Sequence, residues 1–404
     1  MVDTRLPVAS ARRLIQLAGS DRAAASRALA AMSLDEQVSA VCEAPVALRS
    51  RLLDLVPAPE AVIPLLPEAE LCFTCKEVGV EDASRLLEYA TDHQIVACID
   101  LDAWNGLTPD IRKLDTWMMS LAEAGDDTLL RAARAMDAET LALYLRDHVR
   151  VELKPSGDED WQPPEGGQTL EGQFYYIARR DDDDVAVLRR LLIVLFQHDY
   201  WLYFRMMQSV TEEMSSEIEE WALRWRTGRL EDLGFPSWDH SMRIYGHMRP
   251  ERLAEVPLEP ADIEYAEWQL PVWISELPVA ADGRHSIFRA VAQLDERARS
   301  QFFYAFMSLA NKIAVADGRE LGDASTLPDT IEKAARVSSL GLEHVASANS
   351  LDPEEALRRL PLEQLFRIGV NLAPEGVRPA IRSDDEDEDA GGDEDDRSGS
   401  GDQP

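Results

Sequence analysis

The chain has 404 residues, 45% of them hydrophobic, and a net charge of −34 from 41 Lys and Arg against 75 Asp and Glu. That apolar share is enough for a packed core, so the body is globular. The charge argues against nucleic acid or an anionic membrane surface as a partner, since both are bound through Lys and Arg that neutralise phosphate. Residues 383–404 carry eleven acids and one Arg, which leaves −24 for residues 1–382. The longest apolar run, Leu191 to Phe196, is far shorter than the roughly 20 residues of a spanning helix. The N-terminal stretch MVDTRLPVASARRLIQLAG has no apolar core of the kind a secretion signal needs. Four cysteines do not make a disulfide scaffold. A cytoplasmic protein is expected.

Residues 10–150 read as short helices with short connections. Ser33 followed by Glu36 is a capping-box pattern, and the helix continues through Gln37, Val38 and Cys42. A similar string runs from Thr91 to Ile99, with Gln94 aligned to Gln37 and Ile95 to Val38, and a third from Asp137 to Leu145. The spacings, 57 and then 46 residues, are unequal. The region is therefore a loose solenoid of helical repeats over 1–150, in which each unit buries its apolar stripe against the next.

Residues 151–184 change character. Alternating Val149 to Leu153, a Pro- and Gly-rich stretch and then Phe174 to Ile177 predict a two-stranded hairpin with a long tip, lying against the helical body. From 185 the sequence is strongly helical, with Leu188, Leu192, Phe196, Tyr200 and Phe204 four residues apart. A second helix is expected over 212–226, with Trp221 and Trp225 stacked, and then a turn from Gly228 to Pro236. Further helices are expected at 238–247, 260–276, 284–316, 328–348, 352–360 and 361–371, with Gly318 ending the long one. The fold class is thus all-α: a superhelical repeat domain (1–150), a hairpin connector (151–184), a helical domain (185–372) and a disordered acidic tail (373–404).

Two segments carry a family likeness. Ala97-Cys98-Ile99-Asp100-Leu101-Asp102-Ala103-Trp104 and Arg226-Thr227-Gly228-Arg229-Leu230 through Pro236 together resemble a large uncharacterised bacterial family, which implies no activity. The helical punctuation over 33–145 is similar to the N-terminal cytoplasmic domain of MgtE-type magnesium transporters and to helical repeats of flagellar motor-switch proteins. The transporter likeness implies magnesium sensing by acidic helical surfaces, and it draws attention to Asp100 and Asp102 as a Mg²⁺-binding pair.

Other candidates rest on residue chemistry. Cys72 and Cys75 form a CxxC that with Cys42 and Cys98 totals four thiols, but their apolar neighbours fit buried core cysteines better than a zinc site. Asp181 to Asp184 precede a helix and complement its dipole. Arg224, Arg226 and Arg229, with Arg243 and Arg249 nearby, make the one basic cluster; it suits an anion or acidic partner, or is neutralised by neighbouring acids. Asn311 and Lys312 sit in an apolar helix and need partners there. No HExxH, G-x-S-x-G, GxxxxGK[ST] or G-x-G-x-x-G occurs. The first expectation is a non-enzymatic scaffold or adaptor that binds other proteins. A divalent-cation sensor comes second, and an enzyme with an unrecognised site in the C-terminal domain third.

Overall fold

A computed structural model describes residues 9–157, 160–179, 185–247, 284–373 and 377–379. The expected helix at 260–276, the Asp181 to Asp184 run, Arg249 and the acidic tail lie outside the described residues. The fold is all-α, with only two small two-stranded sheets among twenty α-helices in the described residues. None of those helices is long and apolar enough to cross a membrane.

The N-terminal helices are α1 (Ala9–Ser20), α2 (Arg22–Ala30), α3 (Leu34–Cys42), α4 (Val46–Leu53), α5 (Pro59–Val62), α6 (Glu68–Val78), α7 (Ser84–Tyr89) and α8 (Asp92–Asp102). Side chains define the starts of α2, α3 and α8. Ser33 and Glu36 form the expected capping box on α3, and Thr91 and Gln94 form a second on α8. Asp137 caps α11 (Ala138–His148) by accepting from the Thr140 backbone N–H at 2.7 Å. These caps align Ser33 with Thr91 and Glu36 with Gln94, one residue away from the Gln37–Gln94 register read from the sequence. The capping geometry sets the register, because orphan N–H groups must be satisfied at one defined position. Gln94 then reaches outside its helix and donates to the carbonyls of Ile63 and Leu66 at 2.8 and 2.7 Å.

A tight hairpin that the sequence reading missed, β1 (Trp104–Asn105) with β2 (Thr108–Pro109), turns through Gly106 at φ +62°. The Asn105-Gly106 pair was its signal. After α9 (Ile111–Ala124), α10 (Asp126–Ala135) and α11 comes the expected hairpin, β3 (Val149–Leu153) antiparallel to β4 (Phe174–Ala178), with Val151 opposite Tyr176. It lies against the helices, and Phe174 meets Phe204 edge-on at 5.5 Å.

The four-residue ladder from Leu188 to Phe204 is two helices, α12 (Ala186–His198) and α13 (Tyr200–Glu212). Between them Asp199 leaves the helical conformation (φ −151°, ψ 72°) and caps α13, while Arg134 holds both Asp199 and the His198 carbonyl at 2.8 Å. Helix α14 (Ser215–Asp232) continues through Gly228, so the turn begins at Leu233, five residues later than expected. Then follow α15 (Trp238–Met242), α16 (Ser286–Val291), α17 (Glu296–Ala316), α18 (Leu327–Asn349), α19 (Pro353–Arg359) and α20 (Leu362–Leu372). The helix expected over 284–316 breaks in two because Asp295 caps α17 through the Ala298 N–H at 2.9 Å. Gly318 ends α17 at φ +63°, as expected.

One buried hydrophobic cluster runs from Leu14 to Val377 and includes residues of both expected helical regions. The crossing of α18 and α20 is tightly packed. A Cβ at Gly341 would lie 1.9 Å from the Leu365 carbonyl oxygen, and one at Gly369 would lie 1.9 Å from that of Val337. Only glycine lets two backbones come this close.

Candidate interaction surface on helix α14

Helix α14 has two working sides. Ile218, Ala222, Arg226 and Leu230, spaced four apart, form the buried side. Two of the arginines singled out in the sequence point inward and clamp the C-terminal end of α8. Arg226 donates to the Asp100 carbonyl at 2.8 Å and to the Gly106 carbonyl at 3.2 Å, and its guanidinium lies 4.7 Å from the centre of the Trp104 ring. Arg229 grips the Asp100 carboxylate with two hydrogen bonds, of 2.6 and 2.9 Å, and also donates to Asp137 at 2.9 Å. Asp137 therefore caps α11 with one oxygen and receives Arg229 on the other.

Burial is the larger influence on these charges. It raises the Asp100 carboxyl above the usual carboxylate range, against the pull of Arg229 and Arg226. It lowers Arg226 to about 10, still charged at neutral pH. Burial presses on Arg229 too, but Asp100 and Asp137 together outweigh it and raise its pKa. The pair acts as a unit: ionising Asp100 is costly in the interior, and the ionised carboxylate then holds Arg229 charged.

The other candidate carboxylate, Asp102, is occupied separately. It receives Lys76 at 2.6 Å and the Trp117 indole N–H at 3.0 Å, with Lys113 at 3.7 Å. Glu320 approaches the same two lysines, and the Gly322 N–H donates to the Leu101 carbonyl at 3.1 Å. The loop after α17 is thus pinned onto the end of α8. Asp100 and Asp102 thus face different cationic partners, Arg229 and Lys76. Among the described residues no group of three His, Cys, Asp or Glu side chains gathers as a metal ion needs.

The outward side of α14 carries Trp221 and Trp225, 45% and 49% exposed, with their rings stacked 6.2 Å apart as the sequence spacing predicted. Arg224, the third arginine of the cluster, is exposed and lies 5.0 Å from the Trp221 ring centre. Met214, at the N-cap, is 63% exposed. The clamp and the ridge are linked physically: the inward arginines fix the rotation of α14, and that rotation turns the tryptophans outward. A second aromatic surface lies on α13, where Trp201 is 78% exposed beside Tyr200 and Phe204.

The remaining candidates lie inside. Cys42, Cys72, Cys75 and Cys98 are free and buried. Burial lifts the Cys42 and Cys75 thiols, and a contact with Cys72, then burial, lifts Cys98. Asn311 donates to the Gly234 carbonyl at 3.0 Å, and Lys312 pairs with Glu363. His148 is fully buried and pairs with Asp115 on α9 at 2.7 Å, while its Nδ1 faces the Tyr144 carbonyl at 2.7 Å. No local pattern signals that pairing, because the two residues lie on different helices.

No curated protein and no solved structure matches the chain, MgtE-type transporters included. A protein-family model matches residues 26–380, a span that holds both Ala97–Trp104 and the Arg226–Pro236 segment. The chain belongs to the family of unknown function DUF6178.

Proposed function

We propose that this protein is a non-catalytic scaffold or adaptor that binds other proteins through exposed helical surfaces, with α14 as the principal one. The observation that carries the reading is the stacked, half-exposed Trp221–Trp225 pair beside Arg224. Tryptophan is largely buried in folded proteins, and Trp and Arg are the residues that most often dominate protein–protein binding energy. The ridge stands on a rigid helix locked by a buried ion pair, so little order has to be gained on binding. A cytoplasmic location belongs to the same reading; the four free thiols fit a reducing compartment.

The test is affinity capture from a native lysate with wild-type bait and with Trp221→Ala/Trp225→Ala bait, after circular dichroism has shown equal melting. A protein retained by the wild type and lost from the variant supports the reading. Identical captured sets refute α14 as the binding surface. An absence of any retained protein removes the adaptor reading altogether.

A further inference from the structure

We infer that the α14 ridge receives a basic amphipathic helix of another protein. This inference rests on the adaptor reading and names the partner's chemistry. Helical spacing places Met214, Trp221, Trp225 and Gly228 along one side of α14, next to the buried side. A Cβ on Gly228 would meet nothing within 4 Å, so the backbone lies open there beyond the two rings. Large rings followed by a bare stretch of backbone form a ridge and notch, the relief into which side chains three and four apart on a second helix interdigitate.

The charge around the ridge selects the occupant. Glu217, Glu219, Glu220, Glu231 and Asp232 are exposed on α14, against Arg224 as the exposed cation of the ridge. Arg226 and Arg229 face inward and are matched by Asp100 and Asp137. Lys and Arg side chains of a partner would meet these acids, and tryptophan faces also attract cations. A second copy of this chain would bring the same acids to the contact and a further net charge of −34, so self-association is opposed. Anionic membranes and nucleic acids are repelled for the same reason.

The probe is a fluorescein-labelled helical peptide with Leu on one face and Lys on the other, compared with its Leu/Glu counterpart. Each is titrated with the full-length protein and followed by anisotropy. The Lys peptide is expected to bind, and the Glu peptide to bind far more weakly. Trp221→Ala/Trp225→Ala should weaken the Lys peptide by at least about tenfold. A second variant, Glu217→Lys/Glu220→Lys, leaves the apolar ridge intact and should also weaken it. The acidic tail is common to all these proteins, so charge capture by the tail would show as binding that neither variant alters. That outcome, absence of binding, or preference for the Glu peptide overturns the inference. If lysate capture still depends on Trp221 and Trp225 in any of these cases, the adaptor reading stands and only the basic helix is lost. If capture is independent of them as well, both fall.

Discussion

Replacing Arg229 with Ala removes the three hydrogen bonds that tie α14 to Asp100 and Asp137. The side chains of Asp100 and Asp137 are only 3% and 8% exposed, so both carboxylates depend on protein partners, although the space left by the 31% exposed Arg229 would admit some water. Breaking a buried pair by deleting one partner typically costs about 3–5 kcal/mol, mainly for the stranded charge. Two features hold the cost toward the lower end. Arg226 keeps a positive charge beside Asp100, and burial already favours a protonated Asp100. We therefore expect a loss of about 3 kcal/mol for Arg229→Ala. Asp100→Asn keeps the shape and an accepting oxygen while removing the charge that is costly to bury, so it should lose only about 1–2 kcal/mol. The double variant should be less harmful than the sum, because Asn no longer strands a charge when Arg229 is absent. Urea unfolding at neutral pH, followed by circular dichroism and tryptophan fluorescence, measures all three; non-coincident transitions would be compared at the first. The reasoning is refuted if Arg229→Ala changes stability by less than about 0.5 kcal/mol, or if Asp100→Asn is the more damaging change.

Three further outcomes are expected. Gly341→Ala and Gly369→Ala should each destabilise by about 3 kcal/mol or more, because the added methyl would stand 1.9 Å from a carbonyl oxygen of the facing helix and the two helices must separate; thermal melting would show it, and wild-type melting of either variant would contradict the crossing. Asp199 is held below its ordinary 3.8, first by the hydrogen bond from Arg134. A carboxyl with a depressed folded-state pKa stabilises above its unfolded value and loses that contribution as pH falls below it. Acid titration of Asp199→Asn should thus show less loss of stability below pH 4 than the wild type, and superimposable titrations would refute the assignment. The four cysteines should react slowly with Ellman's reagent in the native protein and promptly in denaturant, since all are buried; rapid labelling of the native protein would place at least one of them at the surface.

Local signals were legible in the sequence. Ser33 with Glu36, Gly318, the β3–β4 hairpin and the Trp221–Trp225 stack each depend on residues close in sequence or on strand alternation, and their chemistry is visible at that range. Element ends were less secure. Asp199 and Asp295 each interrupt an apolar periodicity that runs on past them, because a side-chain cap can end one helix and begin another without altering the stripe. Gly228 was read as a turn, yet α14 passes through it: tertiary burial of Arg226 and Leu230 outweighs the roughly 1 kcal/mol that glycine costs in a helix. The β1–β2 hairpin had its Asn-Gly signal at Asn105, and that signal was missed.

Hydrophobic periodicity, capping residues and composition by themselves determined an all-α chain with a hairpin between two helical regions, because those preferences act over one or two turns of backbone. The site needed the tertiary structure. Asp100 and Arg229 were each singled out, as a metal ligand and as an anion binder, and the fold brings them together across 129 positions of sequence. No local pattern encodes that meeting, since a carboxylate and a guanidinium look alike in sequence whether they face solvent, an ion or each other. Which side of α14 is buried decides it. Packing against α8 and α11 turns Arg226 and Arg229 inward, and the same rotation leaves Trp221 and Trp225 in water.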